Sequence, residues 1–441
     1  MARPQRPSKD RPKRPAKHRS GSDRPGDDRS DGPRAAKGDQ SRRLKAMIDD
    51  GPRPRFSDAW TVIVTPKAVN LLTVGHPWLF SGAIAELLPP TVGEPIRGGL
   101  AVICGPDLKP VALGSCNPQS HIAVRILERV GDALPAPLPS VGRLARRRLV
   151  EATELRALLG RPGPGRGAYR LINAEGDGLP GLMVDRIGDG AVVVISTAGA
   201  ALMAEAVSDW LIEKGGCSWV LARAANDVHP SEELPSGQIA SRGTVPDVIE
   251  VDHNGVTLPV EPAAGQKGGL YTDQLDNHLA VAALAKGRFV VDAYCNLGGF
   301  GLHAAKAGAR RVLAIDASQK AAEGADRAAK ASGLSDIFEV VTGDAIHLLG
   351  DLAAGIGVED GRPGLVIIDP PKFATRADVI DDALRKYAHL NATAMAALEP
   401  GGFLVTCSCS GRIDRTAFVR MLGQAARRAG RELQLLELRG A

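Results

Sequence analysis

Apolar and polar positions follow two different rhythms along this chain. From Trp60 to about Arg129 short apolar runs (TVIV, GLAVIC, PVALGSC, IAVRIL) are broken by Gly and Pro, with a Gly-His-Pro-Trp turn at 75–78. Runs this short with such punctuation predict strands of a small β-barrel rather than helices. Pro135, Pro137 and Pro139 then read as a linker. Between 141 and 260 the pattern is mixed and predicts an α+β unit. It holds a basic amphipathic helix (Val141 to Leu159), a turn-rich segment EGDGLPGLMVDR (175–186), a strand AVVVIS (191–196), a helix at 200–214 and a strand SWVLAR. Arg146 to Arg148 on the first helix are candidates to touch phosphate, against the commoner reading of an exposed helix face.

Beyond 260 strand and helix alternate. After GQKGGLYTDQLDNH (265–278) and a helix reaching Ala285, apolar strands are expected at Phe289–Ala293, Val312–Ile315, FEVV (338–341), GLVIID (364–369) and GFLVTC (402–407). Helices are expected between and after them, around 300–307, 378–398 and 414–430. That alternation predicts a doubly wound, parallel α/β sheet with pocket residues at the strand C-termini. Those ends carry Asp292, Asp316, Asp344, Asp369 and Cys409.

The stretch RFVVDAYCNLGGFGLHAAKAGARRVLAIDAS (288–318) reads as strand, glycine-rich turn, helix and a strand ending in an acid. This is a βαβ unit with a nucleotide-type pocket, in which the second acid can accept both hydroxyls of a ribose. Gly299-x-Gly301-x-x-Ala304 fits a dinucleotide fingerprint by count. Tyr294 to Leu297, however, intervene where the first glycine of such a loop should directly follow the strand. Asp292 would also place negative charge beside the pyrophosphate. S-adenosylmethionine (SAM) has no phosphate and carries a cationic sulfonium and ammonium that a carboxylate suits. A methyltransferase is therefore favoured over an NAD-dependent dehydrogenase.

Charge is unevenly placed. The chain carries a net +5, but residues 1–55 hold 17 Lys and Arg against 8 Asp, while the rest holds 38 basic and 42 acidic residues. A tail rich in Pro, Arg, Ser and Gly cannot bury enough surface to offset its ordering entropy, so disorder is expected. Its charge suits a nonspecific tether to RNA as well as a merely solvated tail. No signal peptide and no membrane span are expected. Six cysteines without a regular framework suit a reducing cytoplasm.

Two motifs carry the chemistry. Asp369-Pro370-Pro371-Lys372-Phe373 ends an apolar strand, and its two prolines fix a rigid turn that leaves Asp369 to face a planar ring. Enzymes that methylate exocyclic nitrogens use such a turn too. Carbon 5 of a pyrimidine lacks a lone pair and needs a thiolate to add at carbon 6. Cys409, in the loop after GFLVTC, is where that nucleophile belongs. Cys407 fits a small buried hydrophobe instead, and Cys407-x-Cys409 lacks the second ligand pair of a metal site, so no metal is expected.

DAYCNLGGFG, the acid at Asp316, GDAI (343–346), IIDPPKF and TCSCSG together resemble class I SAM-dependent methyltransferases, with the closest match in the bacterial family that makes 5-methylcytosine in 23S ribosomal RNA. GHPWLFSGAI (75–84), EGDGLPGLMVDR and GLYTDQLDNH look like the same family's other signatures. Beyond the basic tail (1–58), the resemblance implies a PUA-like RNA-binding domain (59–135), a central α+β domain (136–260) and a Rossmann-like methyltransferase domain (261–441). It implies Cys409 as the nucleophile and Asp369 as the acid contacting the base, with Pro370, Pro371, Lys372 and Phe373 on the substrate side. Asp292, Tyr294, Asn296, Gly298, Gly299, Asp316, Asp344 and Gln274 would hold SAM. The implied partner is 23S ribosomal RNA in the cytoplasm, with a homodimer left open. An RNA base N-methyltransferase stays as the alternative.

Three features depart from the pattern. The basic tail has no counterpart in the motifs. Asn296-Leu297 stands where a hydroxyl-bearing and a small residue are usual. After the strand-like ELQLLEL (432–438) the usual fold has one further strand, paired antiparallel between its neighbours. That strand is expected to be missing here, which would leave an open edge.

Overall fold

The structure is a computed structural model that describes residues 48–131, 133–162, 167–263, 270–359, 361–374 and 377–440. The tail to residue 47 and the start of GQKGGLYTDQLDNH lie outside the described residues.

The first strands are β1 (Trp60–Val64), β2 (Trp78–Phe80), β3 (Ile84–Leu88), β4 (Gly99–Cys104), β5 (Pro110–Cys116) and β6 (Ile122–Arg129). They form a six-stranded sheet in the order β2-β6-β5-β4-β1-β3, with β1 parallel to β4 and the other pairs antiparallel. Helix α1 (Pro66–Thr73), capped by Thr65, adds Ala68 and Leu72 to a core of Val62, Val64, Ile103 and Val124. The sequence places residues 48–58 in the tail, but they pack on this unit. Ile48 is buried, the Asp49 amide donates to the Pro106 carbonyl (2.9 Å), and Arg53 pairs with Glu86 (2.8 Å). Two apolar residues eight apart in a polar run, Ile48 and Phe56, give no periodic signal, so the boundary reads too late in the sequence.

The central unit combines α2 (Val141–Leu158) and α3 (Ala198–Glu213) with β7 (Ala168–Asn173), β8 (Leu182–Ile187), β9 (Gly190–Ile195), β10 (Trp219–Ala224) and β11 (Gln238–Arg242). Its sheet has the order β11-β10-β9-β8-β7. Arg147 pairs with Glu128 and Arg148 bonds the Leu127 carbonyl, so both tie α2 to the first unit. A hairpin of β12 (Ile249–His253) and β13 (Val256–Val260) follows. One apolar core runs from Ala168 and Trp219 through Val256 and Leu258 to Val290 and Leu302, without a break at the 260–261 boundary.

The last unit is the doubly wound one. Its strands are β14 (Phe289–Ala293), β15 (Arg311–Asp316), β16 (Phe338–Thr342), β17 (Leu365–Ile368) and β18 (Phe403–Thr406). They run parallel in the order β16-β15-β14-β17-β18, so the winding reverses beside β14 and opens a crevice at the strand C-termini. Helices α4 (Leu275–Ala282), α5 (Gly299–Lys306), α6 (Gln319–Ala331), α7 (Ala345–Ala353), α8 (Ile380–Ala397) and α9 (Arg415–Arg428) complete it. ELQLLEL reads as a strand but is not one: 432–438 make no ladder, and Leu433, Leu435, Leu436 and Leu438 are exposed. An apolar pattern supplies a face but no partner for the backbone, and a strand needs both. Among the described residues no helix is long and apolar enough to cross a membrane.

Candidate active site

The chain leaves β14 through a strained turn. Tyr294 (φ 65°) and Asn296 (φ 49°) both adopt the left-handed region, as does Gly298 (φ 76°). For residues with a Cβ this costs on the order of 1–2 kcal/mol each. The Asp316 carboxylate at the end of β15 helps hold the turn, accepting from the Asn296 amide (2.9 Å) and the Ser318 amide (2.8 Å). Gly298 and Gly299 are needed for packing. A Cβ on Gly298 would lie 2.8 Å from the Phe338 ring, and one on Gly299 would collide with the His278 ring.

Behind this turn Asp292 is buried, and one carboxylate oxygen accepts from the Gly301 amide at 2.8 Å. Burial, against that amide's lowering effect and with the charges of Asp369 and Asp316 added, pushes its carboxyl up to about 7. Among the described residues, its other oxygen, Oδ1, is buried without a hydrogen-bond partner. An unpartnered carboxylate oxygen near two more carboxylates favours a cation, and the ammonium and sulfonium of SAM meet that demand. Burial first, then the charge of Asp344, raise the Tyr294 hydroxyl to about 12, so it stays a donor. Asp344 itself caps α7, accepting from the Ile346 amide (2.8 Å) and the His347 amide (3.3 Å).

The opposite wall comes from the ends of β17 and β18. The Asp369 amide donates to the Ala293 carbonyl (3.3 Å), and Gln274 Nε2 donates to Asp369 Oδ2 (3.4 Å). Cys409 is exposed, and its sulfur lies 3.8 Å from the Pro370 carbonyl oxygen. The nucleophile and the acid expected from sequence thus stand on adjoining loops. Burial, followed by the charges of Asp369 and Asp292, raises the Cys407 thiol far above its usual range, which leaves exposed Cys409 as the candidate nucleophile. Pro370 is buried while Pro371 and Lys372 are exposed, and Lys372 approaches Asp227 at 3.9 Å. Phe373 is half-buried with its ring against Tyr387 (4.8 Å).

Two residues escape sequence reasoning. Tyr387, fully buried on α8, bonds both Ser408 and Ser410 (3.1 Å each), on either side of Cys409. Ser410 in turn accepts from the Ala374 amide (3.2 Å), coupling the cysteine loop to the Asp-Pro-Pro turn. The second is Tyr271, whose hydroxyl is raised by burial and then by the charges of Asp369, Asp273, Cys409 and Asp316. A tyrosine mid-helix gives no local hint of a distant partner, whereas the polar TDQ that follows Tyr271 is a signal for the second.

A family model described as a PUA-like domain matches residues 62–129. In overall fold the chain is similar to a protein from Streptococcus mutans described as a SAM-dependent methyltransferase (16% identical, TM-score 0.66, 83% of this chain and 90% of that one). A second solved structure, described as a methyltransferase complexed with SAH, aligns with TM-score 0.68 at 16% identity over the same shares. Both likenesses establish the Rossmann-like class I methyltransferase fold. In sequence the chain is 33% identical over 367 residues to ribosomal RNA large subunit methyltransferase I of Shewanella denitrificans, spanning 82% of this chain and 88% of that protein. The protein of the same name from Aeromonas hydrophila is 33% identical over 371 residues, spanning 82% and 89%. The chain belongs to the ribosomal RNA large subunit methyltransferase I family.

Proposed function

We propose that this protein methylates carbon 5 of a cytosine in large-subunit (23S) ribosomal RNA, using SAM and a transient bond to Cys409. The observation that carries the reading is the placement of Cys409 Sγ 3.8 Å from the Pro370 carbonyl, one residue from Asp369. Bound SAM supplies an electrophilic methyl group. The pocket around Asp292, Tyr294, Asn296, Gly298, Gly299 and Gln274 would hold it, with Asp316 toward the ribose hydroxyls and Asp344 toward the adenine.

In this mechanism Asp369 accepts a hydrogen bond from the exocyclic amine and holds the base edge-on. The Cys409 thiolate adds its electron pair to carbon 6, and the carbon 5–carbon 6 double bond opens toward carbon 5, which takes the methyl. Loss of the carbon 5 proton restores the double bond and expels the thiolate. Cys407, kept protonated by burial and nearby acids, does not compete. The PUA-like barrel and the 1–55 tail, with its excess of basic residues, are read as RNA-binding elements.

The test is methylation of large-subunit ribosomal RNA in vitro, followed by nucleoside mass spectrometry. The expected product is 5-methylcytidine. A methyl on an exocyclic nitrogen would replace this reading with the nitrogen alternative.

A further inference from the structure

Three side chains at the seam between the central and catalytic units, Arg170, Asp185 and Thr272, have no part in the mechanism above. Asp185, at 1% exposure on β8, lies in the segment EGDGLPGLMVDR. Its carboxylate accepts from Arg170 Nε (2.5 Å) and Nη2 (3.3 Å) on β7, and from the hydroxyl of buried Thr272, 87 residues further on. Two residues past Thr272 comes Gln274, and two further on Asp276 pairs with Arg161. The segment that carries Gln274 is therefore clamped to the central unit on both sides.

Gln274 reaches the reacting groups. Asn277 donates to its Oε1 at 2.7 Å, which leaves Nε2 as the end that donates to Asp369 Oδ2 (3.4 Å). A buried carboxylate with three donors aimed at it is costly to disturb and holds its partners to a narrow geometry. We infer that Asp185 and Thr272 are positioning residues through which the central unit sets Gln274, and with it Asp369, against the target base. The inference rests on Asp369 acting on the base, as proposed above. The chain of contacts is Asp185, Thr272, Gln274, Asp369.

The cleanest probe is Thr272→Val, which keeps the shape and removes the hydroxyl, beside Thr272→Ser, which keeps it. The assay counts methyl groups transferred to ribosomal RNA whichever atom receives them, so it reports even if carbon 5 is not the acceptor. Thr272→Val is expected to lower kcat about tenfold, with any rise in KM for SAM smaller than that fall because Gln274 is one of several SAM contacts, and Thr272→Ser is expected to recover most of the loss. In a Gln274→Ala background, Thr272→Val should add little, because both act through one contact. Wild-type kcat in Thr272→Val would overturn the inference. So would full additivity with Gln274→Ala, or a lowered melting temperature with unchanged kcat per folded molecule.

Discussion

Tyr387 on α8 and Ser410 beyond β18 share a hydrogen bond of 3.1 Å inside the protein, 23 residues apart in sequence. The same hydroxyl accepts from Ser408, so the two neighbours of Cys409 hang from one buried phenol. Tyr387→Phe keeps the ring against Phe373 and Phe418 but deletes both bonds. Stability should fall by about 1–3 kcal/mol. Methyl transfer should slow by about tenfold or more, with SAM affinity unchanged. Calorimetric SAM binding beside single-turnover kinetics checks the split.

Asp292 is a stability cost that SAM binding would relieve. Its buried carboxyl is pushed up to about 7, so without SAM the fold loses stability to its ionisation as pH rises from about 4 to 7. Asp292→Asn preserves an acceptor for the Gly301 amide without the charge. The variant should be more stable than wild type at pH 8 by on the order of 2 kcal/mol, and it should bind SAM at least tenfold more weakly. Thermal melting and calorimetry at that pH read both effects.

His253, His278 and His303 cluster beneath the cofactor loop, with ring centroids of His278 and His303 5.3 Å apart. Burial, and then the other two histidines, hold His278 well below its usual 6.5; burial also lowers His303. Unfolded imidazoles bind protons that these two refuse. Stability is therefore full above about pH 6.5 and drains as pH falls below it. His278→Gln should reduce the slope of stability against pH between about 5 and 6.5 by up to about 1.4 kcal/mol per pH unit. Denaturant melts across that range measure it.

The catalytic sheet is legible in the sequence because a buried parallel strand reads as an unbroken apolar run. Phe289–Ala293 is β14 residue for residue, and Asp316 ends β15 as expected. The acids at 292, 316 and 369 stand out because each one breaks an otherwise apolar run. What stays hidden is whatever depends on a distant partner. The 432–438 segment has the apolar content of a strand but no neighbour to bond, and residues 48–58 are held by contacts to Glu86 and Pro106 that no local pattern encodes. The hairpin at 249–260 and helix α1 are each too short to establish a period. Tyr387 and Thr272 escape for the same reason as the tail boundary: their roles lie in hydrogen bonds across 21 and 87 residues.

The proposed chemistry turns on a covalent bond between Cys409 and carbon 6 of a cytosine. Ribosomal RNA carrying 5-fluorocytosine at the target cannot lose a proton from carbon 5 after methylation, so the enzyme should remain attached. Incubation with SAM followed by denaturing electrophoresis should give a shifted protein–RNA band with wild type and with Cys407→Ala, and none with Cys409→Ala. Absence of the band in wild type that methylates ordinary RNA, or its persistence in Cys409→Ala, would contradict that bond.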